Sequence, residues 1–195
     1  LLNPLELLRT KKVLQVNPTV VSQRAEPVET KLTVYDYNTD RLDIKALTKV
    51  ADCFPYIDPQ TVSWINVDGL RKDDVEAICK HFGVHYLITE DILSLGQRPK
   101  MDEIDGLLFC LLNMLYFNDK DSAVEIEQIS IVLGKNFVIS FQEDATRDVF
   151  NPLRERLKVG TTKVRQNGAD FLFYALIDMI VDNYFVVMEK LGEKI

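Results

Sequence analysis

The fold is decided by residues 106 to 142, which read GLLFCLLNMLYFNDKDSAVEIEQISIVLGKNFVISFQ. Three apolar stretches, Gly106 to Phe117, Glu125 to Leu133 and Asn136 to Gln142, are separated by short polar turns. The second stretch alternates imperfectly between apolar and polar residues, which is typical of a strand with one buried face. Gly134-Lys135 lies between apolar flanks and favours a tight hairpin. We therefore predict three successive strands.

Strands and helices alternate upstream of this segment. Thr61 to Val67 is rich in β-branched and aromatic residues, and this composition predicts a strand. The stretch from Lys31 to Tyr35 is predicted as another strand, followed by a turn. Apolar spacing predicts three short helices: over Ile44 to Val50, over Val75 to Phe82 with Gly83 just past its end, and over Tyr86 to Leu93.

The chain becomes helical after Phe141. Val149, Leu153 and Leu157 are spaced four apart, and a wide apolar stripe follows from Ala169 onward. At 1.5 Å per residue, a helix from there to the last residue would span roughly 40 Å, which is longer than a small sheet can cover. This stretch therefore predicts a long C-terminal helix.

Together these elements predict an α+β fold, with an α/β/α sandwich around a mixed central sheet. We predict a weakly ordered segment over residues 1–30, an α/β domain over 31–166, and the start of the long helix over 167–195. Neither a secretory signal nor a membrane span is predicted. The most apolar long stretch, residues 171–188, contains Asp178, Asp182 and Asn183.

Charge argues against nucleic acid as a partner. The sequence has 30 acidic and 23 basic residues, for a net charge of −7, and such a balance favours cations or basic partners. A local basic cluster lacks interleaved aromatic residues and is interpreted as charges on helix surfaces. Its members are Arg147, Arg154, Arg156, Lys158, Lys163 and Arg165.

Cysteine and histidine spacing offers little catalytic chemistry. Cys53, Cys79 and Cys110 form no CxxC pair and are predicted to be reduced thiols of a cytosolic protein. Cys79, His81 and His85 invite a zinc site, but a fourth ligand is missing, so packing and capping roles are favoured. The chain has no nucleophile elbow and no glycine-rich phosphate loop. A carboxylate-only metal hydrolase stays open.

The acidic residues carry more information. Unless they bind a metal, Glu90, Asp91 and Asp170 are interpreted as first-turn carboxylates, which helix N-termini stabilise. Asp178 and Asp182 are four residues apart on one face of the long helix, a mildly destabilising spacing for like charges. We expect this last pair to face a partner, a cation or water.

The sequence then shows a resemblance to a known family. Thr89-Glu90-Asp91-Ile92-Leu93 and Gln97-Arg98-Pro99-Lys100 resemble motifs of the cytoplasmic domain of CorA-family divalent-cation channels. Further similar motifs lie upstream and downstream of these two, across roughly residues 31 to 195. They are Trp64 to Gly69, Glu127 to Ser130, Phe141 to Glu143, Pro152 to Arg156, Ala169 to Leu172 and Leu176 to Phe185.

The resemblance implies an α/β/α funnel domain followed by a stalk helix that leads into the membrane. It implies a non-enzymatic domain that senses intracellular Mg²⁺, with Co²⁺ as an alternative ion, at carboxylates between the protomers of a homopentamer. By motif match the ligands are Glu90, Asp91 and Asp170, with Asp178 and Asp182 as weaker candidates. We expect a soluble fragment that ends partway down the stalk, at the cytoplasmic face of the inner membrane.

Two other functions stay open at this point. A stand-alone metal-dependent hydrolase would use Asp178 and Asp182, and would turn over a phosphoester with Mg²⁺ or Mn²⁺. A non-enzymatic interaction module would dock another protein on the exposed side of the long helix. The sequence leaves the transported cation undetermined.

Overall fold

The computed structural model describes residue 27 and residues 29–119, 123–144 and 149–193. The prediction for residues 1–30 falls almost wholly outside this range. The strands in chain order are β1 (Lys31–Tyr37), β2 (Leu42–Leu47), β3 (Val62–Asp68), β4 (Lys100–Ile104), β5 (Leu107–Asn118), β6 (Ala123–Leu133) and β7 (Phe137–Gln142). The α-helices are α1 (Lys72–His81), α2 (Tyr86–Leu93), α3 (Asn151–Lys158), α4 (Lys163–Gln166) and α5 (Ala169–Gly192), and a 3₁₀ turn covers Val50–Cys53.

The seven strands form one mixed sheet, as predicted. Its order is β2-β1-β3-β7-β6-β5-β4, and β3 and β7 at its centre are the parallel neighbours. The other neighbouring strands run antiparallel. The backbone N–H of Gly134 donates to the Phe137 carbonyl oxygen at 2.9 Å and closes the β6–β7 hairpin where the sequence placed it.

Helices cover both faces of the sheet and confirm the predicted α/β/α sandwich. Side chains alternate between faces along each strand. On β3, Ile65 and Val67 pack with α1 and α2, which we call the front layer. Trp64 packs with α3, α4 and α5, which we call the back layer. Each face therefore has its own apolar core, and the sheet separates the two layers.

One predicted helix is wrong. Residues 44–50 were expected to be helical, but Leu42–Leu47 is strand β2, with Ile44 opposite Tyr35 of β1. The side chain of Asn38 accepts hydrogen bonds from the backbone N–H groups of Asp40 and Arg41, at 3.0 Å each, and closes the hairpin. The side chains of this edge strand are largely exposed. The apolar residues of this segment have a helix-like spacing, but they do not mark a buried face. The segment is a strand because it pairs with β1 in a hairpin.

Strand β4 was not predicted at all. It pairs with β5 at the other edge of the sheet, with Lys100 opposite Leu111. Its sequence is short and mostly polar, with Lys, Asp and Glu among five residues. Its pairing with the long strand β5 holds it in place, so it does not need an alternating apolar pattern. The sequence therefore gives little sign of this strand.

Arg165 corrects the reading of the basic cluster as surface charge. It is buried, and its guanidinium donates to the carbonyl oxygens of Asn38 at 2.7 Å and Leu157 at 2.8 Å. These bonds tie the β1–β2 turn to the back layer. Lys158 instead fits the surface interpretation, because it is exposed and pairs with Glu155 at 2.6 Å. Arg147 lies outside the described residues.

Helix α5 is long, as predicted, and its two halves differ. Leu172, Leu176 and Ile180 are buried against the sheet. In the second half, the side chain of Asn183 donates to the Leu115 carbonyl oxygen of β5 at 2.6 Å. Most apolar side chains of that half are exposed: Val181, Phe185, Val186 and Met188.

The length and composition of α5 would also allow it to cross a membrane, and it is the one such helix in the described part of the chain. Its most apolar 18-residue window has a mean hydropathy of 1.7, and a third of that window (33%) is buried in the protein. The buried share lies against the sheet, so α5 is also a core helix of the sandwich.

Candidate functional site

Glu90 and Asp91 lie in the last turn of α2, so the first-turn interpretation is wrong for these two residues. The helix presents them away from the core. The ring of His85 caps the start of this helix, since its Nδ1 accepts from the Leu87 backbone N–H at 3.3 Å. Ile88 and Ile92, four residues apart, are buried in the front layer. Glu90 is therefore exposed, and Asp91 is half-buried beside the sheet edge.

The carboxylate of Asp91 already binds a cation. Lys100 Nζ lies 2.6 Å from Asp91 Oδ2, and the two side chains are 35% and 19% exposed. A second carboxylate, Asp102 Oδ2, lies 3.6 Å from the same ammonium. The hydrogen bond to Asp91 raises the pKa of Lys100 above its usual value, so this side chain stays charged at neutral pH.

A buried amide fixes the backbone that carries this ion pair. Gln128 Nε2 on β6 donates to the carbonyl oxygens of Asp91 at 3.1 Å and Ser94 at 2.9 Å. Its Oε1 accepts from the Gln97 backbone N–H at 3.3 Å. The last carbonyls of a helix have no partner within the helix, and Gln128 satisfies one of them here. The segment between α2 and β4 is thereby fastened to the sheet.

Asp170 lies on the other side of the molecule, in the first turn of α5, and is exposed. Its charge acts on Tyr37 of β1, whose hydroxyl is buried without a hydrogen-bond partner in the described structure. Burial raises the pKa of Tyr37 far above its usual value. The charge of Arg165 opposes this rise, and the charge of Asp170 adds to it.

The three predicted ligands do not meet within one chain. Glu90 and Asp91 belong to the front layer and Asp170 to the back layer, with the sheet between them. Asp91 lies over β6 and Asp170 near β1, which are three strands apart, or about 14 Å at the usual strand spacing. The described residues contain no group of three or more His, Cys, Asp or Glu side chains that could hold a metal.

Asp178 and Asp182 lie on the same helix as Asp170, further along α5. The hydroxyl of Tyr174 donates to Asp178 Oδ1 at 3.2 Å, and this bond raises the pKa of Tyr174. Asp182 is exposed. The helix thus carries one half-buried carboxylate, which a neighbouring tyrosine already engages, and one exposed carboxylate.

The cysteine and histidine segment has the packing and capping roles that were favoured over zinc. His81 Nε2 lies 3.0 Å from the Phe54 carbonyl oxygen, and its ring stacks on Phe54. Cys79 is a buried free thiol, as are Cys53 and Cys110. Burial raises the pKa of Cys79 to about 11, so it carries no thiolate at neutral pH.

Sequence reasoning missed Lys100 and Gln128. Both stand inside quoted motifs, Gln97 to Lys100 and Glu127 to Ser130, but neither was given a role. The available signal was a lysine nine residues after the acidic motif, a separation too long for an ion pair within one helix. Their contacts depend on the return of β4 and β6 to the end of α2.

Comparison with known proteins identifies the family. A model of the family described as "CorA-like Mg2+ transporter protein" matches residues 59–195. The chain belongs to this family. The cobalt/magnesium transport protein CorA of Thermotoga maritima is 37% identical over 85% of this chain and 47% of its own length. The magnesium transporter ALR2 of Saccharomyces cerevisiae is 31% identical over 66% of this chain and 15% of its own length.

Solved structures support the same fold. The soluble domain of CorA from Methanocaldococcus jannaschii superposes with a TM-score of 0.61 at 12% identity, covering 83% of this chain and 60% of that chain. The present chain spans about half the length of the Thermotoga relative. The predicted family is therefore confirmed. Its members named here are transporters, which agrees with the prediction of a non-enzymatic protein.

Proposed function

We propose that this chain is the cytoplasmic, cation-sensing region of a divalent-cation transporter at the inner membrane. In this proposal Mg²⁺, or Co²⁺ in its place, binds between neighbouring protomers of a homopentamer. Glu90 and Asp91 of one protomer and Asp170 of the next supply the ligands. The residues of α5 would begin the stalk that connects the sandwich to the membrane. Membership of a Mg²⁺ transporter family supports the proposal.

The observation that carries it is the cation already bound to Asp91. The ammonium of Lys100, 2.6 Å from Asp91 Oδ2, occupies a cation-accepting position at that carboxylate. Mg²⁺ prefers oxygen ligands and keeps several of its waters, so one or two exposed carboxylates suit it. The exposed side chains of Glu90 and Asp170 have the same donor chemistry. The residues therefore fit a hydrated divalent ion.

The arrangement favours a site shared between chains. Asp91 and Asp170 lie in opposite layers of one sandwich, so a single ion reaches both only when two sandwiches stand side by side. An ion held in this way reports on assembly as well as on its own concentration. This is the property that a sensor placed at subunit interfaces requires.

Electrostatics supplies the gating force. Two carboxylates about 4 Å apart across an interface repel by about 4 kcal/mol at an effective dielectric constant of 20. A bound divalent ion supplies the charge that converts this repulsion into attraction. Moving a two-state gate from 1:99 to 99:1 takes about 5.5 kcal/mol, which is about 1 kcal/mol for each of five interfaces. Weak sites are therefore sufficient, and loss of Mg²⁺ would loosen the interfaces and open the pore.

The test is a Mg²⁺ titration of the full-length oligomer, followed by limited proteolysis. Protection should rise with Mg²⁺ in the wild type, and Asp91→Asn should move the midpoint to higher concentration by about tenfold, as expected when a charged ligand worth about 1.4 kcal/mol is lost. Asp73→Asn, an exposed helix carboxylate on α1, is the matched control and should leave the midpoint unchanged. An unaltered midpoint in Asp91→Asn would remove Asp91 from the sensor. Asp182→Asn tests the weaker candidate in the same titration.

A further inference from the structure

Lys100 occupies the carboxylate at which the proposed Mg²⁺ site is built. Its ammonium is in contact with Asp91 Oδ2 at 2.6 Å, and Mg²⁺ bound to a carboxylate oxygen lies at about 2.0–2.1 Å. An ammonium and a divalent ion cannot share that oxygen without strong like-charge repulsion. Any ion that binds Asp91 must therefore displace Lys100 or bind on the opposite side of a pair that is already neutralised.

We propose that Lys100 is an intramolecular competitor for Asp91, and that it sets the Mg²⁺ concentration at which the regulatory site fills. This inference rests on the proposed function, because it concerns the regulation of the same site. Lys100 stays tethered beside Asp91 at a high effective concentration, whatever the concentration of ions in the cell. A divalent ion then binds only the fraction of protomers in which the pair is open.

The local structure provides for release as well as for pairing. Lys100 is the first residue of β4, and the pairing of that strand with β5 holds its backbone. The Gln128 amide holds the preceding segment through Gln97. The flexible lysine stem lets the ammonium move while the backbone stays in place. Asp102, whose Oδ2 is 3.6 Å from the ammonium, is a second acceptor toward which it can turn.

The size of the effect follows from the strength of such a pair. A partly exposed ion pair of ordinary strength is closed in most but not all molecules, and it weakens the apparent affinity of a competing cation by about threefold to sixfold. Removing the ammonium should therefore lower the Mg²⁺ midpoint by the same factor. Maximal protection at saturating Mg²⁺ should stay the same, because the ligands are untouched.

The experiment uses the full-length oligomer and Mg²⁺ titration, read by limited proteolysis and by calorimetric Mg²⁺ binding. Lys100→Gln and Lys100→Met should each lower the midpoint by about threefold to sixfold. Lys100→Arg keeps a cation beside Asp91 and should stay within about twofold of the wild type. Lys72→Gln removes an equal charge from an exposed pair on α1 and should leave the midpoint unchanged.

The outcomes separate this inference from the proposed function. Equal midpoints in Lys100→Gln, Lys100→Met and Lys72→Gln, with a raised midpoint in Asp91→Asn, would overturn the competition and leave the sensor intact. Reduced protection of the Lys100 variants at saturating Mg²⁺ would also overturn it, since that result indicates a structural role. In the double variant Asp91→Asn/Lys100→Gln, competition predicts the midpoint of Asp91→Asn alone. An unchanged midpoint in Asp91→Asn itself would overturn both proposals.

Discussion

Glu127 and Gln128 are neighbours on β6, and they fasten opposite sides of the molecule. Gln128 faces the front layer and holds the end of α2 through the carbonyl oxygens of Asp91 and Ser94. Glu127 faces the back layer, where its Oε1 accepts from the backbone N–H groups of Glu143 at 2.7 Å and Asp144 at 2.8 Å. Two adjacent polar residues therefore position the chain on both faces of one sheet.

The difference between them follows from the groups that each one meets. The end of a helix presents carbonyl oxygens, so the front position needs a donor, and an amide supplies one together with an acceptor. The chain after β7 presents two N–H groups, so the back position needs an acceptor, and a carboxylate provides it. Burial makes the charged form of Glu127 costly and raises its pKa. The three hydrogen bonds that Glu127 accepts act to lower the pKa.

The largest expected effect comes from breaking the back position. Glu127→Ala leaves two backbone N–H groups and the Tyr116 hydroxyl without their acceptor. The free energy of unfolding should fall by about 2–4 kcal/mol, because three hydrogen bonds to one charged acceptor are lost together. Urea unfolding of the chain measures this. Glu103→Ala on the exposed edge strand β4 is the control, and a loss no larger than the control's would contradict the role assigned to Glu127.

Loss of the Gln128 side chain should reduce stability less than loss of Glu127, but it should loosen the segment that carries the candidate site. Gln128→Ala removes one acceptor and two donor bonds, and we expect a loss of about 1–2 kcal/mol, because carbonyl oxygens tolerate a missing partner better than N–H groups do. Amide hydrogen exchange should accelerate at Gln97 and along residues 94–100. Equal acceleration at Glu143 and Asp144 would show general loosening instead of a local release of the α2 end.

The same comparison shows what could be predicted from sequence. Elements with a strong period were predicted closely, and α2 matches at Tyr86–Leu93. The end of α2 was found as a site because its acidic motif is contiguous. Its partners were not, because Gln128 lies 37 residues away along the chain and Lys100 acts from a strand that was itself missed.

The edges of the sheet mark the physical limit of such reasoning. Strands β2 and β4 bury few side chains, so neither leaves the alternating pattern that reveals a strand. Their structure comes from hydrogen bonding to a neighbour, which a local pattern does not encode. Lys100 lies on β4, one of these edge strands, so its ion pair with Asp91 could not be predicted from the sequence either.

The smallest expected effect separates charge from hydrogen bonding at the back position. In Glu127→Gln, Oε1 can still accept from the two N–H groups, so stability at pH 7 should change by less than about 1 kcal/mol. The free energy of unfolding of the wild type should depend on pH differently from that of Glu127→Gln. Because the folded pKa of Glu127 is raised, the folded chain binds this proton more tightly than the unfolded chain does. The stability that this tighter proton binding contributes is complete below the ordinary glutamate pKa of about 4.3. It is lost as the pH rises through the pKa of Glu127 in the folded chain.

The measurement is the difference in free energy of unfolding between the wild type and Glu127→Gln, taken at several pH values from about 4 to 7. The wild type should lose stability relative to the variant as pH rises, since only the wild type carries a carboxyl group that must ionise in a buried site. Glu143 adds to this cost by its like charge, so Glu143→Gln should reduce the pH-dependent difference. A difference that grows in favour of the wild type with pH would mean that the two backbone N–H groups outweigh burial. In that case the carboxylate at the back position would stabilise the fold by its charge as well as by its shape.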